Sequence, residues 1–535
     1  MVSGHSAHFL PVDLQAPFIS LPLKTSDMKA SLLAIAAIAT TAVGSLSPDL
    51  PFIRKPLARR NLGGVEPREL TNPDVVHNCT FRQLLDHTDP SKGIFEQRYW
   101  YNAEHWGGPG YPVFLVNGGE SDASEYTYYL NNGTIMYLYA EKYKGAIVLL
   151  EHRYYGASIP FDTLTAETLQ YHTVPQAIYD NKYFAEAASL PFAKKGGANA
   201  DDSPWVLIGG SYPGALAAWQ SVITPGVFAA HHASSAVVQA IEDFWHFFTP
   251  IEKALPSNCS ADVKRVVAMV DKVLDKGTRK EVAKMKAQFG LGSLHDDGDF
   301  AYILYQPVIS WADNQTAVYE FCDYLETGGH MRKSQEWGVG RQGAWEGYTS
   351  YMQQYWNDTC AQGVCAWNAK TEALNATHLG ADRAWRWQLC NEPLGWWQVG
   401  PPKSDGNNIA SSHIRPEHES RDCALYFPET KGFKSEIEEG FTADMFNLWT
   451  GGWDADFQNV LFVDGEYDPW IEAGVSATSR PGGVVKSSKR VERYVIRKGM
   501  HVPDFDIVGG EEYRRVTKRS VEAMGRWIKE WKEKK

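Results

Sequence analysis

Short apolar runs alternate with longer amphipathic stretches through the first third of the chain and again near its end. Val113–Val116, Ala146–Leu150 and Trp205–Ile208 are β-prone and uninterrupted by polar residues. Each stops at a turn-forming segment: Asn117-Gly118-Gly119-Glu120, Glu151-His152-Arg153 and Gly209-Gly210-Ser211. Val460–Val463 and Arg493–Ile496 repeat the pattern before Asp464-Gly465 and Lys498-Gly499. Such runs, bounded by turns and separated by helical stretches, predict parallel strands buried on both faces. A closing helix is predicted from about Glu511 to Lys532, with Met524, Trp527, Ile528 and Trp531 on its core side and its Lys and Arg residues solvated. Between about 225 and 440 the strand signal fades and helical, Trp-rich segments take over. The expected architecture is therefore α/β. A sheet domain in two parts, 74–224 and 441–535, surrounds an inserted, mainly helical cap at 225–440.

Cysteines sharpen that division. Six of the seven (Cys259, Cys322, Cys360, Cys365, Cys390, Cys423) fall in the insert, and only Cys79 lies outside it. The spacing contains no Cys-x-x-Cys pair, so zinc is a poor fit and up to three disulfides are expected. The N-terminus supports an oxidising compartment. Met28-Lys29 precedes an apolar run from Leu32 to Val43 and small residues at Ala42-Val43-Gly44, the pattern of a secretory signal over about 28–44. Residues 1–27 then read as an upstream extension, and 45–73 as a flexible pro-segment or tail. The run falls short of the roughly 20 residues of a membrane span, and no later run is longer, so no membrane anchor is expected. Six Asn-x-Ser/Thr sequons, at Asn78, Asn132, Asn258, Asn314, Asn357 and Asn375, are candidate glycosylation sites. The expected location is extracellular, or the lumen of a vacuole or lysosome.

Composition narrows the function. The 535 residues carry 52 Lys plus Arg against 64 Asp plus Glu, a net charge of −12. Without a basic excess to neutralise phosphates, general nucleic-acid binding is excluded. An apolar fraction of 44% with 13% aromatics excludes intrinsic disorder as the dominant state.

The sharpest chemical signal is the strand Trp205–Ile208 running through Gly209-Gly210 into Ser211, then Tyr212-Pro213-Gly214 and a helix-prone segment. A Ser on a tight strand-to-helix turn exposes its hydroxyl and aims the following N–H at a developing oxyanion. The usual Gly-x-Ser-x-Gly pattern is altered: Pro213 takes the fifth position and Gly214 follows it. A Ser hydroxyl needs a base, and in this fold an acid and then a His follow on later strands. His501 is the only His after His418. For the acid, Asp464, Glu466 and Asp468 all lie in the loop after Val460–Val463, and spacing does not choose among them.

The ordered motifs resemble the prolyl carboxypeptidase-like serine peptidases, a family that includes lysosomal Pro-Xaa carboxypeptidase, dipeptidyl peptidase II and the fungal prolyl endopeptidases, the last being the nearest in appearance. The likeness runs from Asp86-His87 through Gly118-Gly119-Glu120, Glu151-His152-Arg153-Tyr154-Tyr155-Gly156, Gly209-Gly210-Ser211-Tyr212 and Gln388 to Glu392. It ends with Tyr467-Asp468-Pro469-Trp470 and Gly499-Met500-His501. The resemblance implies an α/β-hydrolase fold and a triad of Ser211, Asp468 and His501. It implies hydrolysis on the carboxyl side of proline in peptide or protein substrates, through an acyl-enzyme and without metal or cofactor. The oxyanion is expected on the N–H of Tyr212 and of Gly118 or Gly119. Trp385, Trp387, Trp396 and Trp397 are candidates for a proline slot. Glu120 or Glu151 could bind a substrate amine or pair with Arg153, the pairing being favoured. Family likeness also implies a Cys390–Cys423 disulfide. Exopeptidase action, a lipase or esterase, and an inactive binding module are the alternatives. Oligomeric state is not set by the sequence.

Overall fold

The computed structural model describes residues 75–535, except 313, 328–335, 362–375, 378, 404–407 and 508. The expectations for 1–73, the sequon at Asn375 and Cys365 lie outside these residues.

One eight-stranded sheet organises the chain, in the order β1-β2-β4-β3-β5-β6-β7-β8. β1 (His77–Leu84), β2 (Ile94–Asn102) and β4 (Ala146–Leu150) pair antiparallel. β3 (Val113–Asn117), β4, β5 (Trp205–Gly210), β6 (Ala230–Ser234), β7 (Val460–Gly465) and β8 (Val491–Ile496) run parallel. This is an α/β-hydrolase architecture. All five predicted strands are present.

Side chains alternate across the pleat, so each apolar run feeds two cores. Phe114, Val116, Ile147, Leu149, Val206 and Ile208 face the helices Ile135–Tyr143 and Glu511–Lys534, meeting Met136, Met524, Trp527 and Ile528. Val113, Leu115, Val148, Leu150 and Leu207 face the helices Val174–Ala187 and Tyr212–Ile223, meeting Phe184 and Ala217. Trp531, expected on the core side of the last helix, is only half-buried.

β6 falls inside the span 225–440 expected to form a mainly helical cap, where no strand is expected. Its sequence Ala-His-His-Ala-Ser lacks the β-branched residues that mark its neighbours, yet all five residues are buried. The helical insertion thus follows β6 and returns to the sheet at β7. It includes the helices Ser257–Lys276, Asp297–Ile309, Gln315–Thr327, Gly340–Ala361 and Ala381–Asn391. Among the described residues two disulfides brace it, Cys259–Cys322 and the expected Cys390–Cys423, while Cys79 is unpaired. One apolar cluster runs from Tyr212, Leu216 and Trp219 beside the sheet into Phe244, Trp311, Trp396 and Phe446. The insertion is therefore packed onto the strand ends rather than tethered loosely to them. Among the described residues no helix is long and apolar enough to cross a membrane.

Candidate active site

The loops leaving the carboxyl ends of β3, β5, β7 and β8 converge, as ligand sites do in open parallel sheets. Glycines set their approach. A Cβ on Gly119 would stand 2.6 Å from Pro213 Cγ, and one on Gly210 would stand 2.8 Å from Val502 Cγ1. A Cβ on Gly465 would collide with the carbonyls of Gly499 and Met500.

Ser211 joins β5 to the helix Tyr212–Ile223 with φ 62° and ψ −129°. A non-glycine residue in that region costs about 1–3 kcal/mol, and the strain is held because the surroundings fix it. The Ser211 N–H donates to Ser234 O at 2.9 Å, and Ser211 O accepts the Ala215 N–H at 3.0 Å. The altered glycine pattern has a packing reason. A Cβ on Gly209 would strike the Pro213 carbonyl, and one on Gly214 would lie 2.8 Å from Ser234 O. Pro213 sits in the first helical turn, where its missing N–H costs no helical bond, and its ring packs on Gly119.

The three carboxylates after β7 have three different fates. Asp464 is buried and accepts Ser476 Oγ at 2.5 Å; burial, opposed by that bond, pushes its pKa up to about 7. Glu466 pairs with Lys253 Nζ at 2.7 Å and accepts the Lys498 N–H, which together hold it below the usual carboxylate range. Asp468 is fully buried. Its Oδ2 lies 2.9 Å from His501 Nδ1, and its Oδ1 accepts the Trp470 N–H at 2.9 Å. Trp311 Nε1 donates to Tyr467 O at 3.0 Å, so the insertion itself fixes this loop.

Of the expected oxyanion donors, the Tyr212 N–H has no acceptor among the described residues. The two glycines differ from expectation. Gly118 N–H donates to Leu150 O at 2.8 Å and Gly119 N–H to Asn117 Oδ1 at 3.0 Å. Gly118 is thus spent on continuing the pairing with β4, and Gly119 on the local turn. The next N–H, on Glu120, has no acceptor among the described residues.

Aromatic rings form a row from Tyr212 to His501. Centroid separations are 5.5 Å for Tyr212–Trp385, 6.3 Å for Trp385–Trp396, 6.4 Å for Trp396–Trp470 and 6.5 Å for Trp470–His501. Trp387 is not in this row. It points to the opposite face of its helix, donates to His172 O and packs on Phe427 beside the Cys390–Cys423 bridge. Trp397 is buried with Arg386 over its ring and is also outside the row. The spacing of Trp385 and Trp387, two residues apart on a helix, already puts them on different faces.

Glu151 does not pair with Arg153. It is buried against Arg98, with Arg98 Nε 2.8 Å from its Oε2, and it accepts Ser158 Oγ at 2.6 Å. Strand register explains the partner: Tyr99 lies opposite Leu150, so Arg98 falls across from Glu151. Arg153 instead binds Asp180, with Nε 2.7 Å from Oδ2. Glu120 is half-buried and makes no ion pair among the described residues. Its charge, together with that of Glu392, adds to burial in raising the Tyr212 phenol.

A polar network beside Tyr212 was not legible in advance. Gln388 Nε2 donates to the Tyr212 hydroxyl at 2.6 Å, and Tyr155 OH donates to Gln388 Oε1 at 2.5 Å. His152 Nδ1 lies 2.8 Å from Arg153 O, so it must carry the proton. Nε2, 3.0 Å from Tyr212 OH, then accepts. Burial holds the His152 pKa down to about 4, which keeps this ring neutral.

A family model described as Serine carboxypeptidase S28 matches residues 83–517. The chain belongs to that family of serine peptidases. The peptidase is 32% identical over 510 residues to Serine protease vicPb of Bipolaris victoriae, covering 91% of this chain and 93% of that one. It is 30% identical to a Probable extracellular serine carboxypeptidase of Arthroderma benhamiae, over 72% of this chain and 56% of that one. With the human Thymus-specific serine protease it shares 28% identity, over 72% of this chain and 75% of that one. The peptidase is accordingly a hydrolase, and its converging loops are where that chemistry is to be sought.

Proposed function

We propose that this peptidase cleaves on the carboxyl side of proline with Ser211 as nucleophile, His501 as base and Asp468 as the group that orients and stabilises the imidazolium. The observation that carries the assignment is the 2.9 Å contact of His501 Nδ1 with a fully buried carboxylate whose other oxygen is already held by the Trp470 N–H. That contact fixes Nδ1 as the protonated nitrogen and leaves Nε2 to take the Ser211 proton. The oxyanion of the tetrahedral intermediate is received by the N–H groups of Tyr212 and Glu120, each such donor being worth roughly 3–4 kcal/mol in the transition state, and His501 passes its proton to the departing amine as the acyl-enzyme forms. Water then releases the acyl group.

Proline specificity is supported by the row Tyr212, Trp385, Trp396, Trp470, which lies between elbow and base. A pyrrolidine ring offers apolar faces and no N–H, so flat aromatic walls suit it. Secretion is supported by the two disulfides and by the printed name of the Arthroderma relative. The test is digestion of a peptide blocked at both ends with one internal proline, read by mass spectrometry from pH 3 to 8, beside Ser211→Ala. Cuts after proline that vanish in the variant are expected. Cuts only after one end is unblocked would make the enzyme an exopeptidase. Absence of proline-linked cuts would remove the specificity, and retained fluorophosphonate labelling of the Ala variant would overturn the nucleophile.

A further inference from the structure

Beneath His501 lies a second set of hydrogen-bonded side chains, separate from the triad. Asp504, three residues after His501, is buried. Its Oδ1 accepts Ser234 Oγ at 2.6 Å, and its Oδ2 lies 2.8 Å from His232 Nε2. His232 Nδ1 in turn lies 3.1 Å from the Tyr139 hydroxyl. His232 and Ser234 alternate along β6, and Ser234 also supplies the carbonyl that receives the Ser211 N–H at 2.9 Å. The next residue, Ser235, accepts the Val502 N–H on its Oγ at 2.9 Å. Ser235 and Val502 both have positive φ, 46° and 50°. For a β-branched residue such as Val502 that is a genuine outlier. Its side chain is pressed on Gly210, one residue before Ser211.

Two consecutive residues, Ser234 at the end of β6 and Ser235 just after it, therefore anchor both reactive loops. Ser234 grips Ser211 through its backbone and Asp504 through its side chain, and Ser235 grips the residue after His501. A middle strand of a parallel sheet has no packing need for His and Ser here; its parallel neighbours present Val, Leu, Ile and Phe. Fully satisfied buried networks rigidify what they join.

We propose that Asp504 and His232 are positioning residues that set where His501 stands relative to Ser211, with Ser234 as their shared anchor. The proposal rests on the triad reading above. Its test compares Asp504→Asn, His232→Gln and Ser234→Ala with the parent and with Ser211→Ala. Steady-state kinetics on a Pro-amide substrate are measured beside fluorophosphonate inactivation rates and near-UV circular dichroism. Because misplacement of a reacting group by about 1 Å costs roughly 100-fold, kcat and the labelling rate should both fall about 10- to 100-fold, while KM stays within about threefold. A merely structural role would leave the folded fraction with parental kcat. Ser234→Ala removes one hydroxyl and keeps the carbonyl that holds Ser211, so it remains informative if Asp504→Asn does not fold. Folded variants with parental kcat and labelling rate overturn the proposal. If Ser211→Ala itself stays active, the triad reading fails; if it is inactive while the other three are parental, only the positioning role fails.

Discussion

Glu392 offers a test of the physics that does not depend on substrate. It follows the helix Ala381–Asn391, is buried, and accepts the Val174 N–H on Oε1 at 2.9 Å. Burial first, and then the negative charge of Glu436, pushes its pKa from 4.5 up to about 8. Between those values the folded chain holds a proton here that the unfolded chain releases. Stability must therefore be fully present below about pH 4.5 and be lost as pH rises towards 8. At about 1.4 kcal/mol per pH unit the span corresponds to on the order of 5 kcal/mol. Asp464, raised to about 7, and Asp299, raised to about 6, act with the same sign. His152 and His231, held down to about 4 by burial, act with the opposite sign, losing stability as pH falls below 6.5. These terms are common to parent and variant. Glu392→Gln keeps the acceptor for Val174 and cannot ionise, so the difference in Tm isolates the one carboxyl. Scanning calorimetry at fixed scan rate and ionic strength should find that difference shifting in favour of the variant by about 3–4 °C between pH 5 and pH 8, since a chain of this size moves by only about 1 °C per kcal/mol. A difference that is flat across that range would refute the reasoning, whatever its sign at any single pH.

Two further outcomes follow from the same burial and pairing. Arg98→Ala leaves the Glu151 carboxylate buried without its cation and should destabilise by roughly 3–5 kcal/mol, while Arg98→Ala with Glu151→Gln should recover part of it; equal Tm values for the single and double variants would contradict the pairing energy. Peptide mapping of the protein expressed through a secretory pathway should find glycans at Asn78, Asn132 and Asn357, which are exposed, and not at Asn258 or Asn314. Asn258 is half-buried and bonded to Glu326, and Asn314 Oδ1 accepts the Ala317 N–H at 3.1 Å, so a glycan at either would contradict this account.

What the sequence made legible, and what it hid, has a common cause. β3, β4, β5 and β7 announce themselves because a strand buried on both faces must be apolar along its whole length. β1 and β2 do not, since they form the sheet's antiparallel edge, with half of β1 open to solvent. Their buried glutamines answer each other: Gln83 Nε2 donates to Gln97 Oε1 at 2.9 Å. β6 was hidden for the opposite reason. It is wholly buried, but its His232 and Ser234 side chains are satisfied by Asp504, some 270 positions later, and no local window contains that partner. The same limit governed the site. The elbow was readable because its strain and crowding act on adjacent residues, which must be small. The partner of Glu151 was misjudged because proximity in sequence favoured Arg153, whereas the β2–β4 register brings Arg98 across from it. The oxyanion glycines are expected from their place in the turn after Val113–Val116, but a place in that turn does not imply a free donor. Leu150 and Asn117 consume their N–H groups, and the next N–H, on Glu120, has no acceptor among the described residues. Spacing alone also left Asp464 and Asp468 equal, both buried behind one strand. What separates them is a partner from elsewhere in the chain: Ser476 for Asp464, His501 for Asp468. Motifs thus report local crowding, and the assignment of chemistry to a particular carboxylate or N–H waits on contacts made across the sheet.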